Sequence, residues 1–320
     1  MDSLDLAGTN LTSPAVLAFG LGAASVFMRT DLKLPEAIHS ALTVYLLLAI
    51  GLKGGAELSI SSPGDVWLPA LAAVALGLAI PFWSYGIARR LGRMGVPDAA
   101  ALAAHYGSVS IVTFTATLAF LDQLSVPVEG YMTALVALME VPAIVVALLI
   151  ARRAIGGDGG LGAAVREVFG GRGVVLLLGG LTIGLLSGKD GLDRVGGFFV
   201  EPFAGVLVLF LLEMGVTAAG RLKDLRKGGL FLVAFGTALP LFHGFLGAVV
   251  GAAVGLSVGG TTVLAALAAS ASYIAAPAAV RLALPQANPG YYLTAALAIT
   301  FPFNLAIGIP LYYRFASLLA

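Results

Sequence analysis

Long apolar stretches dominate this chain, and they restrict its fold more than any other feature. Of its 320 residues, 59% are hydrophobic and 11% are charged, whereas about 25% of residues are charged in soluble domains. A soluble protein could not hide this much apolar surface, because its exterior must meet water. Inside a bilayer, backbone groups must be hydrogen-bonded within the chain, and a helix achieves this by itself. We therefore predict an all-α integral membrane protein.

Ten stretches approach or reach the roughly 17–25 residues that a helix needs to cross a bilayer. The predicted spans are Pro14–Met28, Pro35–Leu52, Val66–Ala88, Asp98–Leu121, Gly130–Ala151, Gly173–Ser187, Gly197–Ala219, Gly228–Leu256, Gly259–Leu282 and Pro289–Tyr313. The first and sixth spans are short, and a thinner bilayer or oblique packing accommodates a short span. The pattern predicts ten transmembrane helices.

Lysine and arginine are distributed unevenly between the predicted loops. Fourteen of the 18 lie in the odd-numbered loops, and the other four lie in the even-numbered loops and the termini. Because cytoplasmic loops are enriched in Lys and Arg, the odd-numbered loops are predicted to be cytoplasmic. The protein is then a multi-pass protein of the cell inner (plasma) membrane, with both termini outside the cytoplasm.

A motif of small polar residues occurs twice in the apolar sequence. Tyr106-Gly107-Ser108-Val109-Ser110 has a counterpart, Ser270-Ala271-Ser272-Tyr273, that lies 162 residues later. Each motif is followed by Gly-Tyr and then by an apolar stretch with a proline, Pro142 or Pro302. Matching polar interruptions in two halves are typical of transporter binding sites.

Five spans in each half would invert the second half relative to the first. We therefore predict two inverted five-helix repeats, residues 1–155 and 173–320, in which helices 4 and 9 are broken and cross each other. A short, glycine-rich cytoplasmic linker at 156–172 joins the repeats.

Five short segments, taken together, resemble those of a known family. They are the first Ser-x-Ser motif, Met139-Glu140-Val141-Pro142-Ala143, Leu211-Leu212-Glu213-Met214-Gly215, Ser272-Tyr273-Ile274-Ala275-Ala276-Pro277-Ala278 and Thr300-Phe301-Pro302-Phe303-Asn304. In combination they look like the sodium-dependent bicarbonate transporters first described in cyanobacteria. The resemblance extends from about Leu34 to the C-terminus.

This resemblance implies a sodium-coupled symporter that imports bicarbonate by alternating access. It also implies a fold similar to sodium/proton antiporters and bile-acid symporters, with helices 3–5 and 8–10 as a core domain and helices 1, 2, 6 and 7 as a gate domain. The implied assembly is a homotrimer. Cyanobacterial members commonly work with a PII-like regulatory protein and have a longer linker between the halves than this chain.

The repeated motif has the chemistry of an anion site. Burying bicarbonate, a small anion with three oxygens, requires several hydrogen-bond donors. A helix broken near Gly107–Ser110 would offer backbone N–H groups and the positive end of a helix dipole. We predict a substrate site made of Gly107, Ser108, Val109, Ser110, Ser270, Ala271 and Ser272. The alternative is that these serines bond to the i−4 carbonyl or only pack closely.

The co-transported sodium ion needs oxygen ligands. Glu140 is the best carboxylate, because it lies in a predicted span two residues before Pro142, whose ring frees a backbone carbonyl. Asn304 follows Pro302 in the other half. The predicted sodium ligands are Glu140, Asn304, Ser110, Thr113 and Ser272. The alternative for Glu140 is a structural hydrogen bond to a hydroxyl, and Glu213 is either a gate residue or a structural link to the core.

Several other functions are disfavoured. No HExxH, GxSxG or phosphate-binding loop is present, so the chain is not predicted to be an enzyme. It has no cysteine for a disulfide or metal site, and no basic patch with interleaved aromatics for nucleic acid. The alternatives that stay open are a symporter of another small carboxylate and a sodium/proton antiporter of the same fold. A receptor or scaffold would need a sizeable soluble domain, and no loop exceeds about 20 residues.

The charge distribution generates a topology prediction. Cysteines introduced at Leu4 and Gly159 of this cysteine-free chain should react with an impermeant thiol reagent from opposite sides of the membrane. Labelling of both positions from the outside would contradict the ten-span topology.

Overall fold

The computed structural model describes residues 8, 10–155, 162, 166, 169–274 and 276–319, and these residues form helices and short connections without a strand. The helices are α1 Pro14–Phe27, α2 Glu36–Leu58, α3 Pro63–Arg90, α4 Val96–Gly107, α5 Ile111–Gln123, α6 Met132–Ile155, α7 Arg172–Phe199, α8 Phe203–Arg221, α9 Leu225–Ala253, α10 Val258–Ala268, α11 Ala276–Ala283 and α12 Pro289–Leu319. The all-α prediction is confirmed. Leu4, Gly159 and most of the predicted 156–172 linker lie outside the described residues.

Over the described ranges, eight helices are long and apolar enough to cross a membrane, with α4 and α5 counted as one span, Val96–Gln123. Two shorter apolar helices, α1 and α10, lie in the first and ninth predicted spans. Membrane-length helices on this scale make the chain a multi-pass membrane protein.

The sixth predicted span ends where the backbone of α7 breaks. It is predicted to end at Ser187, and the next residue, Gly188, has a non-helical backbone with a φ of 64°. A second helical segment follows this kink as far as Phe199 and begins with the charged residues Lys189 and Asp190. Hydropathy therefore located the end of the first segment, and the helical segment after it was not predicted.

Glycines allow α1 and α8 to pack backbone against backbone. A Cβ atom on Gly22 of α1 would collide with the carbonyl oxygen of Leu212 on α8. A Cβ on Gly215 of α8 would in turn collide with the carbonyl of Phe19 on α1. Small residues permit this close approach, which stabilises helix pairs where lipid removes the hydrophobic driving force.

The pair α2 and α7 repeats this arrangement. A Cβ on Gly51 of α2 would lie 2.6 Å from the carbonyl oxygen of Leu177 on α7. A Cβ on Gly180 of α7 would lie 2.9 Å from the carbonyl oxygen of Leu48 on α2. Gly55 of α2 and Gly184 of α7 add a second contact in each direction, against the carbonyls of Leu181 and Leu52, whereas α1 and α8 exchange one in each direction.

Helices α3 and α6 run in the same direction and hold the end of α4 between them. Gly77 of α3 packs on Met139 of α6. One turn further on, Gly107 at the end of α4 lies against Pro81 of α3 and Ala143 of α6. A Cβ on Gly107 would approach to 2.5 Å from Pro81 Cγ, so glycine is required where α4 stops.

Two carboxylates of the first half bind the starts of helices in the second half. Glu129 accepts hydrogen bonds from the backbone N–H (2.6 Å) and hydroxyl (3.0 Å) of Ser257, the N-cap of α10. Asp98, in the first turn of α4, accepts from the backbone N–H of Asn288 (2.7 Å), the N-cap of α12. These bonds satisfy polar groups at helix starts that have no intrahelical partner.

The glycine contacts predict that Gly22→Ala destabilises the protein. The new methyl group would force α1 and α8 apart, and overpacking typically costs about 1–3 kcal/mol. Gly20→Ala is the matched control, because a Cβ at Gly20 on the same helix has nothing within 4 Å. Thermal unfolding in one detergent should show a lower Tm for Gly22→Ala alone, and equal Tm values would contradict the close contact.

Candidate functional site

The first Ser-x-Ser motif is a break between α4 and α5. Gly107 is the last residue of α4, and Ser108 and Ser110 have extended backbone conformations. Ser110 then caps α5, because its hydroxyl oxygen accepts from the backbone N–H of Thr113 at 3.1 Å. All of these residues are buried, so the break exposes backbone groups inside the protein.

The second motif is a break of the same kind between α10 and α11. α10 ends at Ala268, and Ser270, Ala271 and Ser272 are buried in non-helical backbone. The Ser272 hydroxyl oxygen accepts from the backbone N–H of Ala276 at 3.2 Å, at the start of α11. The predicted pair of interrupted segments is therefore present.

The two breaks bond directly to each other. The backbone N–H of Ser272 donates to the carbonyl of His105 at 2.7 Å. In the other direction, the backbone N–H of Ser110 donates to the Ser270 hydroxyl at 2.8 Å, and this hydroxyl donates to the carbonyl of Leu267 at 2.8 Å. Each break thus supplies an acceptor for a backbone donor that the other break cannot satisfy.

Ser108 and Ser270 hold equivalent places in the two motifs but have different roles. The Ser270 hydroxyl bridges Ser110 and Leu267. Ser108 is 1% exposed, and its hydroxyl has no hydrogen-bond partner among the described residues. A buried hydroxyl in this condition costs free energy until a ligand or another polar group pairs with it.

Two tyrosines, which the sequence analysis did not assign to the site, complete its surroundings. The Tyr106 hydroxyl lies 2.6 Å from the Thr300 hydroxyl, which itself donates to the carbonyl of Gly236 at 2.8 Å. The hydroxyl of Tyr273 lies beside Ser110 and is buried, and it meets no partner of ordinary hydrogen-bond geometry in the described ranges. Both tyrosines adjoin the Ser-x-Ser motifs in sequence, which is the signal that could have identified them.

Glu140 lies on α6, inside the protein. It is 1% exposed, and its Oε2 atom has no hydrogen-bond partner within the described part of the chain. Pro142 interrupts the backbone hydrogen bonding of the same helix. A buried carboxylate in this state requires a cation or a proton.

The other predicted sodium ligands lie at or near the crossing. Thr113 is bonded through its backbone N–H to Ser110, and Asn304 donates to the carbonyl of Ala269 at 2.9 Å. The Asn304 side-chain oxygen accepts from the Tyr312 hydroxyl at 2.7 Å. Asn304 therefore braces the second break. Glu140 is not joined to either break by a hydrogen bond between described residues.

Glu213, the predicted gate residue, is buried on α8. Its Oε2 atom accepts from the backbone N–H of Leu34 at 2.7 Å, in the connection between α1 and α2. The bond joins elements assigned to the gate and does not reach the core. Glu213 also lines a cleft that is described below. It therefore makes a structural contact and is positioned on a solvent-accessible path.

Comparison with known families shows to which family the chain belongs. The sequence model of the Na+-dependent bicarbonate transporter superfamily matches residues 14–317. The chain belongs to this superfamily. None of the curated proteins compared with the chain matches it. The protein is therefore a membrane transporter and not an enzyme, as the sequence predicted.

The different roles of the two serines generate a stability prediction. Ser270→Ala should destabilise the transporter by about 1–3 kcal/mol, because it leaves the buried N–H of Ser110 unsatisfied. Ser108→Ala removes a hydroxyl of the same type that holds no described group, so it should leave Tm unchanged or slightly raised. Thermal unfolding of both variants in detergent checks the prediction, and a larger loss for Ser108→Ala would contradict it.

Proposed function

We propose that the transporter is a sodium-coupled symporter that imports bicarbonate by alternating access across the cytoplasmic membrane. The observation that carries the proposal is the mutual bonding of the two buried helix breaks, beside which the Ser108 hydroxyl lacks a partner in the described residues. Membership of the superfamily supports sodium and bicarbonate as the transported ions.

The proposed anion pocket lies where the breaks cross. Ser108 brings a buried hydroxyl that finds no protein partner in the described part of the chain. Tyr273 brings a second buried hydroxyl, which lies beside Ser110. The start of α5, just after Ser110, adds the positive end of a helix dipole. Gly107, Val109 and Ala271 contribute backbone. We assign Ser270 and Ser272 to holding the pocket together, because their hydroxyl oxygens accept backbone N–H groups.

The proposed sodium site is built on Glu140, with hydroxyl and backbone oxygens near Ser110, Thr113 and Ser272. A carboxylate at 1% exposure is costly to keep charged in a membrane, and a sodium ion would offset that cost. Asn304 would contribute in two ways. Its side-chain amide N–H donates to the carbonyl of Ala269, and the remaining lone pair of its side-chain oxygen is free for a sodium ion.

Paired contacts support the proposed inverted repeats, 1–155 and 173–320. The α1–α8 contact Gly22–Leu212 corresponds to the α7–α2 contact Gly180–Leu48. In the same way, Phe19–Gly215 corresponds to Leu177–Gly51. Matching residues are 158 positions apart between α1 and α7, and 164 positions apart between α2 and α8. The carboxylate contacts correspond as well, since Asp98–Asn288 and Ser257–Glu129 differ by 159 at both positions.

In the proposed architecture α1, α2, α7 and α8 form the gate, and α3–α6 and α9–α12 form the core. The glycine contacts favour this division, because they join the gate helices in two close pairs. The cytoplasmic linker, external termini, homotrimer and PII-like regulator stay predictions from the sequence and the resemblance.

The proposal is tested by radiolabelled bicarbonate uptake into proteoliposomes, with and without an inward sodium gradient. Uptake should require the gradient. Glu140→Gln should reduce sodium activation sharply, because an amide keeps the size and loses the charge. Ser108→Ala should raise KM for bicarbonate by roughly ten- to a hundred-fold, the effect of losing a hydrogen bond to a charged group.

Glu57→Gln is the matched control, since Glu57 lies at the end of α2 in a partly exposed ion pair with Lys189 at 3.6 Å. It should transport normally. Uptake that is independent of sodium in the unmodified protein would refute the symport. Uptake driven by a proton gradient would favour proton coupling through Glu140.

A further inference from the structure

One face of α8 lines three successive spaces between the proposed gate and core. Phe203 and Leu207 line a cleft at the beginning of the helix, and Phe210 and Thr217 line a second cleft towards its end. Leu207 and Phe210 both border a small cavity between the clefts. Residues spaced three and four apart share a helix face, so the three spaces follow one line along α8.

The two clefts are wide and contain charged residues. The first has a volume of about 490 Å³ and is lined in part by Lys53 and Asp122. The second has a volume of about 430 Å³ and is lined in part by Lys33, Glu36 and Glu213. Ala204 in the first cleft and Thr217 in the second are 13 residues apart on α8, a rise of about 20 Å. The clefts therefore lie towards opposite ends of the helix.

The space between the clefts is small and mostly apolar. Its volume is about 10 Å³, which is barely enough for one water molecule. Apolar side chains from three helices make up most of its lining, namely Leu46, Leu47, Ile111, Val112, Leu207 and Phe210. Thr43 and Thr115 also line it, but their hydroxyls donate to carbonyls of their own helices. A dry constriction of this kind stops ions, because an ion must lose its hydration shell to enter.

The barrier is attached to both helix breaks. Ile111 and Val112 are the first two residues of α5, immediately after Ser110. Ile274, which also lines the small cavity, follows Tyr273 at the second break. A displacement of the breaks would therefore move one wall of the barrier, while Leu207 and Phe210 on α8 form the opposite wall.

We propose that this apolar contact is the permeation barrier of the transporter. Leu207 and Phe210 then couple the two ions, because they prevent either ion from crossing alone. With the barrier intact, neither ion crosses between the clefts alone, and crossing requires movement of the breaks together with their ligands. The proposal relies on the proposed function for the identity of the transported ions and for the movement of the breaks.

The clefts are tested first, by a measurement that needs no transport. Single cysteines at Ala204 and Thr217 should react with an impermeant thiol reagent in oriented proteoliposomes, each from one side and the two from opposite sides. Reaction of both from the same side, or of either from both sides, would overturn the barrier.

The barrier itself is tested by sodium entry in the absence of bicarbonate. Leu207→Ser should raise this leak about tenfold over the unmodified protein, equivalent to about 1.4 kcal/mol off the barrier. Leu209→Ser is the matched control, because Leu209 lies on the same helix and is 52% exposed. It should leave the leak at the level of the unmodified protein.

If Leu207→Ser does not fold, Phe210→Ala is a second variant that opens the same contact. An unchanged leak in a folded variant at either position would refute the barrier. An unmodified protein that takes up no bicarbonate, with the labelling and leak results as expected, would refute the proposed function and leave the barrier standing.

Discussion

The structure depends on the way in which two interrupted helices satisfy each other's backbone groups. A bilayer offers no water to an unbonded N–H, and each such group costs several kcal/mol. The bonds from Ser272 to His105 and from Ser110 to Ser270 remove this cost at the crossing. Neither break is tolerable without the other, so α4, α5, α10 and α11 are tied into one unit.

The surrounding helices are organised to hold this unit and to seal it. Gly107 stops α4 against Pro81 and Ala143, and the Asp98 and Glu129 carboxylates hold the starts of α12 and α10. Around it, α1 packs on α8 and α2 on α7 through glycine contacts that have no long side chains between the backbones. Backbone contacts of this kind resist deformation, which suits the gate role proposed for these four helices.

The sequence predicted the features that depend on local pattern. The helical class and both breaks followed from apolar length and from small polar residues in apolar stretches. It did not predict that Tyr312 occupies the Asn304 oxygen or that Ser270 bridges to Leu267, because such pairings depend on distances between remote segments. The helical segment of α7 after the kink at Gly188 was missed because Lys189 and Asp190 end the apolar stretch there. Tyr273 was quoted as part of a motif, but its burial beside Ser110 is a tertiary property.

The Ser270 hydroxyl is hydrogen-bonded and the Ser108 hydroxyl is not bonded to a described residue, and this difference affects how such a chain can diverge in evolution. A change at position 270 is felt first in folding, since a buried backbone N–H depends on its hydroxyl. In the proposed pocket, a change at position 108 is felt first by the bound anion, since no described residue relies on that hydroxyl. Under the proposed function, new ion preferences can therefore arise at the first motif while the second keeps the fold intact. With two helix breaks, the residue that is free to vary and the residue that the fold requires are therefore different residues.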